Sequence, residues 1–465
     1  MLFSSPAFFL FFACYFLLHI VLPRYHRLLL VVVGSTVFYA FWNVPYVIVP
    51  YSLVLIVYLG ATWMELASTD ESRKRRMICT VVGLLIPLVF FKYTNFIYND
   101  VLGLAWEQSR KVIDLPLPLG ISFVTFTLIA YTVDVYRHQF PLESRLKMLT
   151  GYVLFFPQLI AGPIVLPRQL ILQLDRPKPA LSARFRNGIA VFSVGLVKKL
   201  VFADQIAKVV NPVFAGGGDF SSLDYLLATY GFSLQIFCDF SGYSDMAIGL
   251  GLLLGVKLPK NFERPYCSAS IVEFWRRWHM TLSNWLRDYL YIPLGGSRNG
   301  RFKQIRNVLI TMVLGGLWHG ASWTFVIWGL IHGLVIALTH LIRWQRLGGP
   351  LAATPRWIKI FVTFHLVTFT WIVFRAESVS DIGRIVAGIF QGPLPDLAAF
   401  ASANVFPLTL LAVFFATHRY DNLTRIRAFV RKAPGELLWP IIIMLWVLAI
   451  TISAGNSADF IYFDF

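Results

Sequence analysis

The sequence predicts an all-α integral membrane protein that crosses the bilayer many times, and three observations carry that prediction. Of 465 residues, 57% are hydrophobic and only 14% are charged, against about 45–50% and about 25% in an average soluble domain. The mean hydropathy is +0.65, more apolar surface than a soluble fold hides from water. The apolar residues fall in runs near the roughly 20 that a spanning helix needs. The basic residues fall in short bursts between those runs, as in cytoplasmic loops.

Basic residues outnumber acidic ones by 41 to 24, a net charge of +17. On a soluble protein that excess raises the question of nucleic acid. Here membrane topology accounts for it, and nucleic acid is set aside. A second reading stays open, in which a cytoplasmic basic face also attracts an anionic ligand such as the phosphates of a nucleotide cofactor. The four cysteines, Cys14, Cys79, Cys238 and Cys267, form no CxxC pair. They suggest neither a disulfide framework nor a zinc site, and no metal is expected.

Met1–Pro6 carries no basic side chain, and Ala7–Leu22 is followed by Arg24 and Arg27 rather than by a small-residue cleavage site. It reads as a first transmembrane helix, not a signal peptide. Further candidate spans lie near 28–42, 46–64, 77–93, 118–135, 146–166, 187–210, 223–238 and 243–257, then near 307–318, 322–342, 357–374, 403–417 and 437–454. Those at 118–135 and 307–318 could be re-entrant, which membranes tolerate where protein surrounds the irregular backbone. Arg24–Arg27 and Arg73–Arg76 both favour the cytoplasm, and two helices separate them. The N-terminus is therefore expected outside. No internal repeat is visible, which counts against a transporter built from duplicated halves.

Residues 258–306 are more polar and aromatic than their surroundings and lack a spanning run. Within them, Trp275, Trp278, Leu282, Trp285 and Tyr289 recur at spacings of three and four. That pattern predicts one amphipathic helix near 271–287, with Arg277, Asn284 and Asp288 on its other side. Two readings stand side by side. The helix is an interfacial anchor, or His279 points into a buried polar site where Arg276 or Arg277 holds an anion.

His319 lies in Gly315-Gly-Leu-Trp-His-Gly-Ala-Ser-Trp-Thr-Phe-Val-Ile-Trp-Gly329, a stretch otherwise apolar. An ionisable group at membrane depth usually faces a bundle interior or a water-filled cavity. An ordinary imidazole is a general base near neutral pH. Gly315, Gly316 and Gly320 would let backbone or a thin substrate come close. His332 follows by thirteen residues, about 220° around a continuous helix, so the two histidines do not share a face. His19, His26, His138, His340, His365 and His418 read as satisfied or interfacial residues.

Phe237-Cys-Asp-Phe-Ser-Gly-Tyr-Ser-Asp245 sets two carboxylates and three hydroxyls between apolar runs. A broken helix lining a cavity explains it, and interhelical hydrogen bonding explains it equally. Leu115-Pro-Leu-Pro-Leu-Gly-Ile-Ser-Phe123, leading to Asp134-Val-Tyr-Arg137, reads as a proline-kinked start to a helix. No GxxxxGK[ST] phosphate loop, HExxH or GxSxG element occurs, which removes support for ATP-driven transport, zinc proteolysis and a serine acyl-enzyme.

Phe274-Trp-Arg-Arg-Trp-His-Met-Thr-Leu-Ser-Asn-Trp-Leu-Arg-Asp-Tyr-Leu-Tyr-Ile-Pro-Leu-Gly-Gly296, followed by Leu317-Trp-His-Gly-Ala-Ser-Trp323, resembles the membrane-bound O-acyltransferases, and within them the alginate O-acetyltransferase branch. Met1-Leu-Phe-Ser-Ser5, Phe91-Lys-Tyr-Thr-Asn-Phe96, Leu119-Gly-Ile-Ser-Phe123, Phe156-Pro-Gln-Leu-Ile-Ala-Gly-Pro163, Asp239-Phe-Ser-Gly-Tyr-Ser-Asp245, Asn261-Phe262 and Phe460-Ile-Tyr-Phe463 extend the resemblance nearly end to end.

The resemblance implies one membrane domain over 1–465, a bundle of roughly eleven or more transmembrane helices with re-entrant and interfacial helices around a central cavity. The polar insert is 258–306 and the catalytic-histidine region 307–342. It places the family's essential histidine at His319 and its second active-site position at His279. Arg276, Arg277, Arg298 and Arg301 become candidates for a cofactor's phosphates. Trp278, Asn284, Trp318, Asp239 and Ser241 become candidates for lining the cavity.

The implied activity takes acetyl from a cytoplasmic donor, acetyl-CoA, with no tightly bound cofactor. The acetyl group passes across the bacterial inner membrane to an exported polysaccharide such as alginate or cellulose, directly or through a periplasmic SGNH or esterase-like acetyltransferase. The related teichoic-acid D-alanylation branch uses a carrier protein instead. From another class, a non-catalytic flippase or export component would explain the bundle but leave His319 and its glycines without a purpose.

Overall fold

The computed structural model describes residues 1–103, 111–175, 182–344, 353–453, 458, 460 and 461, and among these there is no strand. Residues 462 and 463 of the C-terminal motif lie outside them. Five helices are long and apolar enough to cross a membrane: Pro45–Glu65, Asp70–Val101, Trp323–Ile342, Arg356–Arg375 and Gly435–Ser453. Leu397–Ala403 and Val405–His418 together make a sixth, bent by 78°. Pro6–Val21 and Ile121–Tyr136 are apolar but shorter, and no such span overlaps 258–306.

The chain, read above as one membrane domain, clusters into two compact units. The first holds Met1–Phe192 with Tyr243–Lys260, the second Ser193–Gly242 with Asn261–Phe465.

In the first unit the helices begin where their capping residues stand. Ser5 Oγ accepts from the Phe8 N–H at 3.3 Å, and Thr69 Oγ1 accepts from the Ser72 N–H at 3.1 Å. Each satisfies a backbone donor that the helix itself cannot. Phe3, Phe8, Phe38 and Phe156 pack their rings 4.9–6.3 Å apart into one buried cluster. The kinked segment 115–120 ends at Gly120, whose φ of +70° precedes the Ile121–Tyr136 helix. A Cβ there would stand 2.6 Å from the Leu159 carbonyl oxygen, so a glycine serves both the left-handed turn and the close approach.

One expectation changes outright. The candidate spans 223–238 and 243–257 are joined by a single helix, Ser222–Leu253, of 32 residues. The polar Phe237–Asp245 stretch does not break it, because its first carboxylate is neutralised from outside the helix. Lys199 Nζ lies 2.9 Å from both Asp239 and Asp204 carboxylates, and all three side chains are buried. Asp239 also accepts from the Ile461 N–H at 2.8 Å. Buried charges are tolerated when paired and hydrogen-bonded in this way.

The core of the second unit is aromatic. Trp278, Trp328 and Trp371 are all but fully buried. Trp371 stands 4.9 Å from Trp278 and 5.9 Å from Trp328, ring centre to ring centre. Helices Arg301–His319 and Trp323–Trp344 pack backbone to backbone. A Cβ on Gly316 would strike the Phe325 carbonyl, and one on Gly329 the Met312 carbonyl. Gly316, three residues before His319, therefore serves helix packing.

Candidate active site

The expected helix over 271–287 is two helices, Ile271–Trp275 and Met280–Leu286, separated by a turn. The reason lies in partners distant in sequence. The Arg277 carbonyl accepts from the Glu263 N–H, and the Met280 N–H donates to the Asn261 carbonyl, both at 2.9 Å. Those bonds take over groups a continuous helix would have used. Between them His279 adopts a left-handed conformation, φ +42° and ψ +53°, uncommon for a residue other than glycine and frequent where a site needs a fixed geometry. The apolar stripe survives the break, with Trp278, Leu282 and Trp285 buried.

Asn261 sets the state of His279. The Thr281 N–H and hydroxyl donate to Asn261 Oδ1 at 3.2 and 2.9 Å, which fixes that atom as the oxygen. His279 Nδ1 lies 3.2 Å from the same oxygen, so Nδ1 carries the proton and Nε2 keeps its lone pair. Burial pushes His279 down to a pKa of about 3. The ring is a neutral imidazole with its basic nitrogen chosen in advance. Sequence reasoning used Asn261 only within the Asn261-Phe262 motif of the resemblance and did not name it as a site residue, since its partner His279 lies eighteen residues later.

His319 is the last residue of its helix, which stops where Gly320 turns extended. Its ring is buried among Trp318 at 5.0 Å, Phe374 at 5.2 Å and Trp328 at 5.3 Å, all close to perpendicular. The His279 ring is 6.5 Å away, centre to centre, and 5.9 Å from Trp318. That separation is too long for a direct hydrogen bond and short enough for one substrate oxygen to reach both rings. A positive charge formed on His319 would sit at the negative end of its helix dipole. The Trp328 indole N–H is buried and has no hydrogen-bond partner among the described residues.

A cavity of about 440 Å³ lies in the same unit, lined in part by Met280, Asn284, Arg276, Arg287, Val308 and Met312 and by neither His279 nor His319. Met280 follows His279 directly. Met312 and Val308 precede His319 by seven and eleven residues, which at 100° per residue puts all three on one helix face.

The structure thus gathers His279, His319 and Trp318, and sets Arg276 and Asn284 on the cavity. Arg287, which the sequence reading did not single out, lines it too and pairs with Asp288 at 2.7 Å. The other nominated residues go elsewhere. Arg277 pairs with Glu273 at 2.6 Å, as does Arg356 at 2.9 Å. Arg298 and Arg301 are exposed and do not line this cavity. Trp278 belongs to the aromatic core, Asp239 to the Lys199 triad, and Ser241 is buried in the long helix. No group of three or more His, Cys, Asp or Glu among the described residues could hold a metal.

Two buried histidines at one substrate's reach, in a helical protein with several membrane spans, describe a membrane enzyme of the group-transfer class. Residues 9–375 match the model of MBOAT, the membrane-bound O-acyltransferase family, and the chain belongs to that family. It is accordingly an O-acyltransferase, a multi-pass protein of the bacterial inner membrane. Among its relatives is an Azotobacter vinelandii protein named "Probable alginate O-acetylase AlgI", 39% identical over 90% of this chain and 85% of its own. The Helicobacter pylori peptidoglycan O-acetyltransferase is 34% identical, over 84% and 80%. The Bacillus subtilis teichoic acid D-alanyltransferase is more distant, 29% identical over 67% and 81%.

Proposed function

We propose that the protein takes acetyl from a cytoplasmic thioester, acetyl-CoA, and delivers it for O-acetylation of an exported polysaccharide. The final acceptor hydroxyl is a sugar's or that of a periplasmic SGNH or esterase-like acetyltransferase. The names of its O-acetylating relatives support the acetyl group and a glycan acceptor, alginate in one and peptidoglycan in another, and exported cellulose is a further acceptor of the same chemistry. The observation that carries the chemistry is the 6.5 Å pairing of His279 with His319.

Acyl transfer from a thioester to a hydroxyl needs a base at the hydroxyl, a donor at the carbonyl oxygen and exclusion of water. His319 takes the hydroxyl proton as the oxygen attacks the thioester carbonyl. Collapse of the tetrahedral intermediate expels the thiolate, which recovers that proton from the imidazolium. His279, with its proton on Nδ1 and a lone pair on Nε2, positions the acceptor beside His319, which alone receives the hydroxyl's single proton. That tautomer suits it poorly to hold the oxyanion, a task for which the Trp328 N–H is placed in the same aromatic shell. Arg276 and Arg287 at the cavity suit the donor's phosphates.

The test is transfer of labelled acetyl from acetyl-CoA by the purified full chain, beside the acetyl content of polysaccharide exported by cells. Transfer by the wild type and none by His319→Ala at matched protein level is the expected result. Normal acetylation with His319→Ala would overturn the mechanism and return the export reading.

A further inference from the structure

A second cavity in the Ser193–Gly242 and Asn261–Phe465 unit, of about 270 Å³, has a nearly continuous apolar wall that includes Val194, Phe202, Phe237, Phe414 and Leu445. Lys198 and Asp421 also line it and neutralise each other at 2.8 Å. Of the other polar residues on the wall, Thr417 gives its hydroxyl proton to the Val413 carbonyl and Tyr420 is exposed, while His418 is buried, 4% exposed. Its Nε2 accepts from the Tyr266 backbone N–H at 3.3 Å, so in the neutral ring the proton sits on Nδ1. That nitrogen is buried and has no hydrogen-bond partner among the described residues. A donor left unsatisfied in an apolar wall is costly. The cavity therefore suits a molecule with an apolar chain and one hydrogen-bond acceptor.

The chain that follows says what such a molecule is. Asn422 caps the helix Leu423–Lys432, which carries Arg425, Arg427, Arg431 and Lys432 and no acidic residue. Val430 is buried and Ile426 lines the cavity, while Arg425, Phe429, Arg431 and Lys432 are exposed. A short basic amphipathic helix of this kind lies at a membrane surface. Basic residues there attract anionic headgroups. Arg419 and Arg425 are exposed and flank the cavity-lining Tyr420 and Asp421 in sequence.

We propose that this cavity holds one acyl chain of an anionic glycerophospholipid. The ester carbonyl of that chain accepts from His418 Nδ1, and the phosphate lies toward Arg419 and Arg425. The volume is just below the about 300–1,000 Å³ of sites for drug-sized ligands, enough for part of a chain and not for a whole lipid. This site is independent of the acyl-transfer reading. It bears on the catalytic region all the same, because Phe237 forms its wall and packs 6.2 Å from Trp278, the neighbour of His279.

The experiment is native mass spectrometry of the full chain released from detergent. The probes are ester-linked phosphatidylglycerol, its di-ether analogue and phosphatidylcholine. The ester-linked anionic lipid should be retained best. The di-ether form should bind about fivefold more weakly, the scale of one neutral hydrogen bond. Leu445→Trp, which fills the cavity, should abolish retention with no fall in Tm, and Arg425→Glu should remove the preference for phosphatidylglycerol. Equal binding of ester and ether forms would overturn the proposal, and needs no variant to fold. So would undiminished retention by folded Leu445→Trp, or displacement of the lipid by acetyl-CoA, which would give the cavity to the donor's pantetheine arm instead.

Discussion

His279 and His332 are buried histidines of the same unit, and their surroundings differ in one respect. At His332, Nδ1 accepts from the Trp275 indole N–H at 3.2 Å, which leaves the proton on Nε2. Nε2 lies 3.1 Å from the Thr370 hydroxyl, which passes its own proton to the Val367 carbonyl at 2.7 Å. Both ring nitrogens are consumed by architecture. At His279 the protein fixes Nδ1 through Asn261, which keeps the lone pair on Nε2 in a ring whose centre lies 6.5 Å from that of His319. A histidine held by both nitrogens ties helices together. The proposed mechanism instead needs a histidine whose tautomer is set from one side by Asn261.

The largest effect should come from the pair to which catalysis is proposed, His319 and His279. His319→Ala should lower acetyl transfer by about 10²–10⁴-fold, the usual scale of general-base catalysis, while the protein still inserts and keeps its Tm. His279→Ala should reduce transfer less, because it orients and does not take the proton. Rates of labelled acetyl transfer at matched protein level check the order. Equal losses for both would mean that the two rings act as one unit.

Asn261 sharpens the comparison. Asn261→Ala removes the acceptor at 3.2 Å that fixes the His279 tautomer, and should lower kcat about tenfold or more, with a smaller change in KM for the donor. Asn261→Asp still accepts from Nδ1 and should recover most of the rate. It should also move the acid limb of the pH–rate profile, since a carboxylate raises the basicity of an adjacent imidazole. A purely structural Asn261 would show neither rescue nor a shifted profile.

His332→Ala should do the reverse. It strands the Trp275 indole N–H and opens space between Trp275 and Trp328, whose ring is 4.7 Å from His332. Loss of a buried hydrogen-bond partner costs about 1–3 kcal/mol, so accumulation and Tm should fall while transfer per folded molecule stays near wild type. A large drop in kcat with unchanged Tm would place His332 in the machinery and dissolve the distinction drawn here.

The sequence made the membrane class and the buried Trp278–Leu282–Trp285 stripe legible, because composition and period-3.6 spacing report burial directly, whereas His319 and His279 stood out through an ionisable group in an apolar stretch and through the resemblance. It did not show that the stripe is broken at 276–279. The bonds responsible join Asn261 and Glu263 to residues 14 to 20 positions later, a distance no local period encodes. The Phe237–Asp245 stretch misled in the opposite direction. Two carboxylates in an apolar run read equally as a break, whereas Lys199, forty residues before Asp239, neutralises the charge and lets the helix continue. The arginines fared unevenly for a related reason. Charge counts say how many guanidiniums a segment carries, but only folding shows that Glu273 takes Arg277 and that Arg276 is left on the cavity.

The smallest expected effect concerns pH and follows from the state of His279. Its pKa lies near 3 in the folded protein because burial disfavours the charged ring, against about 6.5 when unfolded. Between those values the unfolded chain binds a proton that the native site does not, so stability rises with pH across the interval. The stabilisation is fully present above about pH 6.5 and is lost progressively as the pH falls toward 3. Tm of the detergent-solubilised protein should therefore decline from pH 7.5 to 5.5. The decline should be shallower in His279→Gln, which has no titrating ring at that position. His332 and His418 remain in that variant, so a residual slope is expected. An identical slope in both proteins would mean that the His279 ring accepts a proton while folded, and the neutral, pre-oriented imidazole on which its role rests would have to be abandoned.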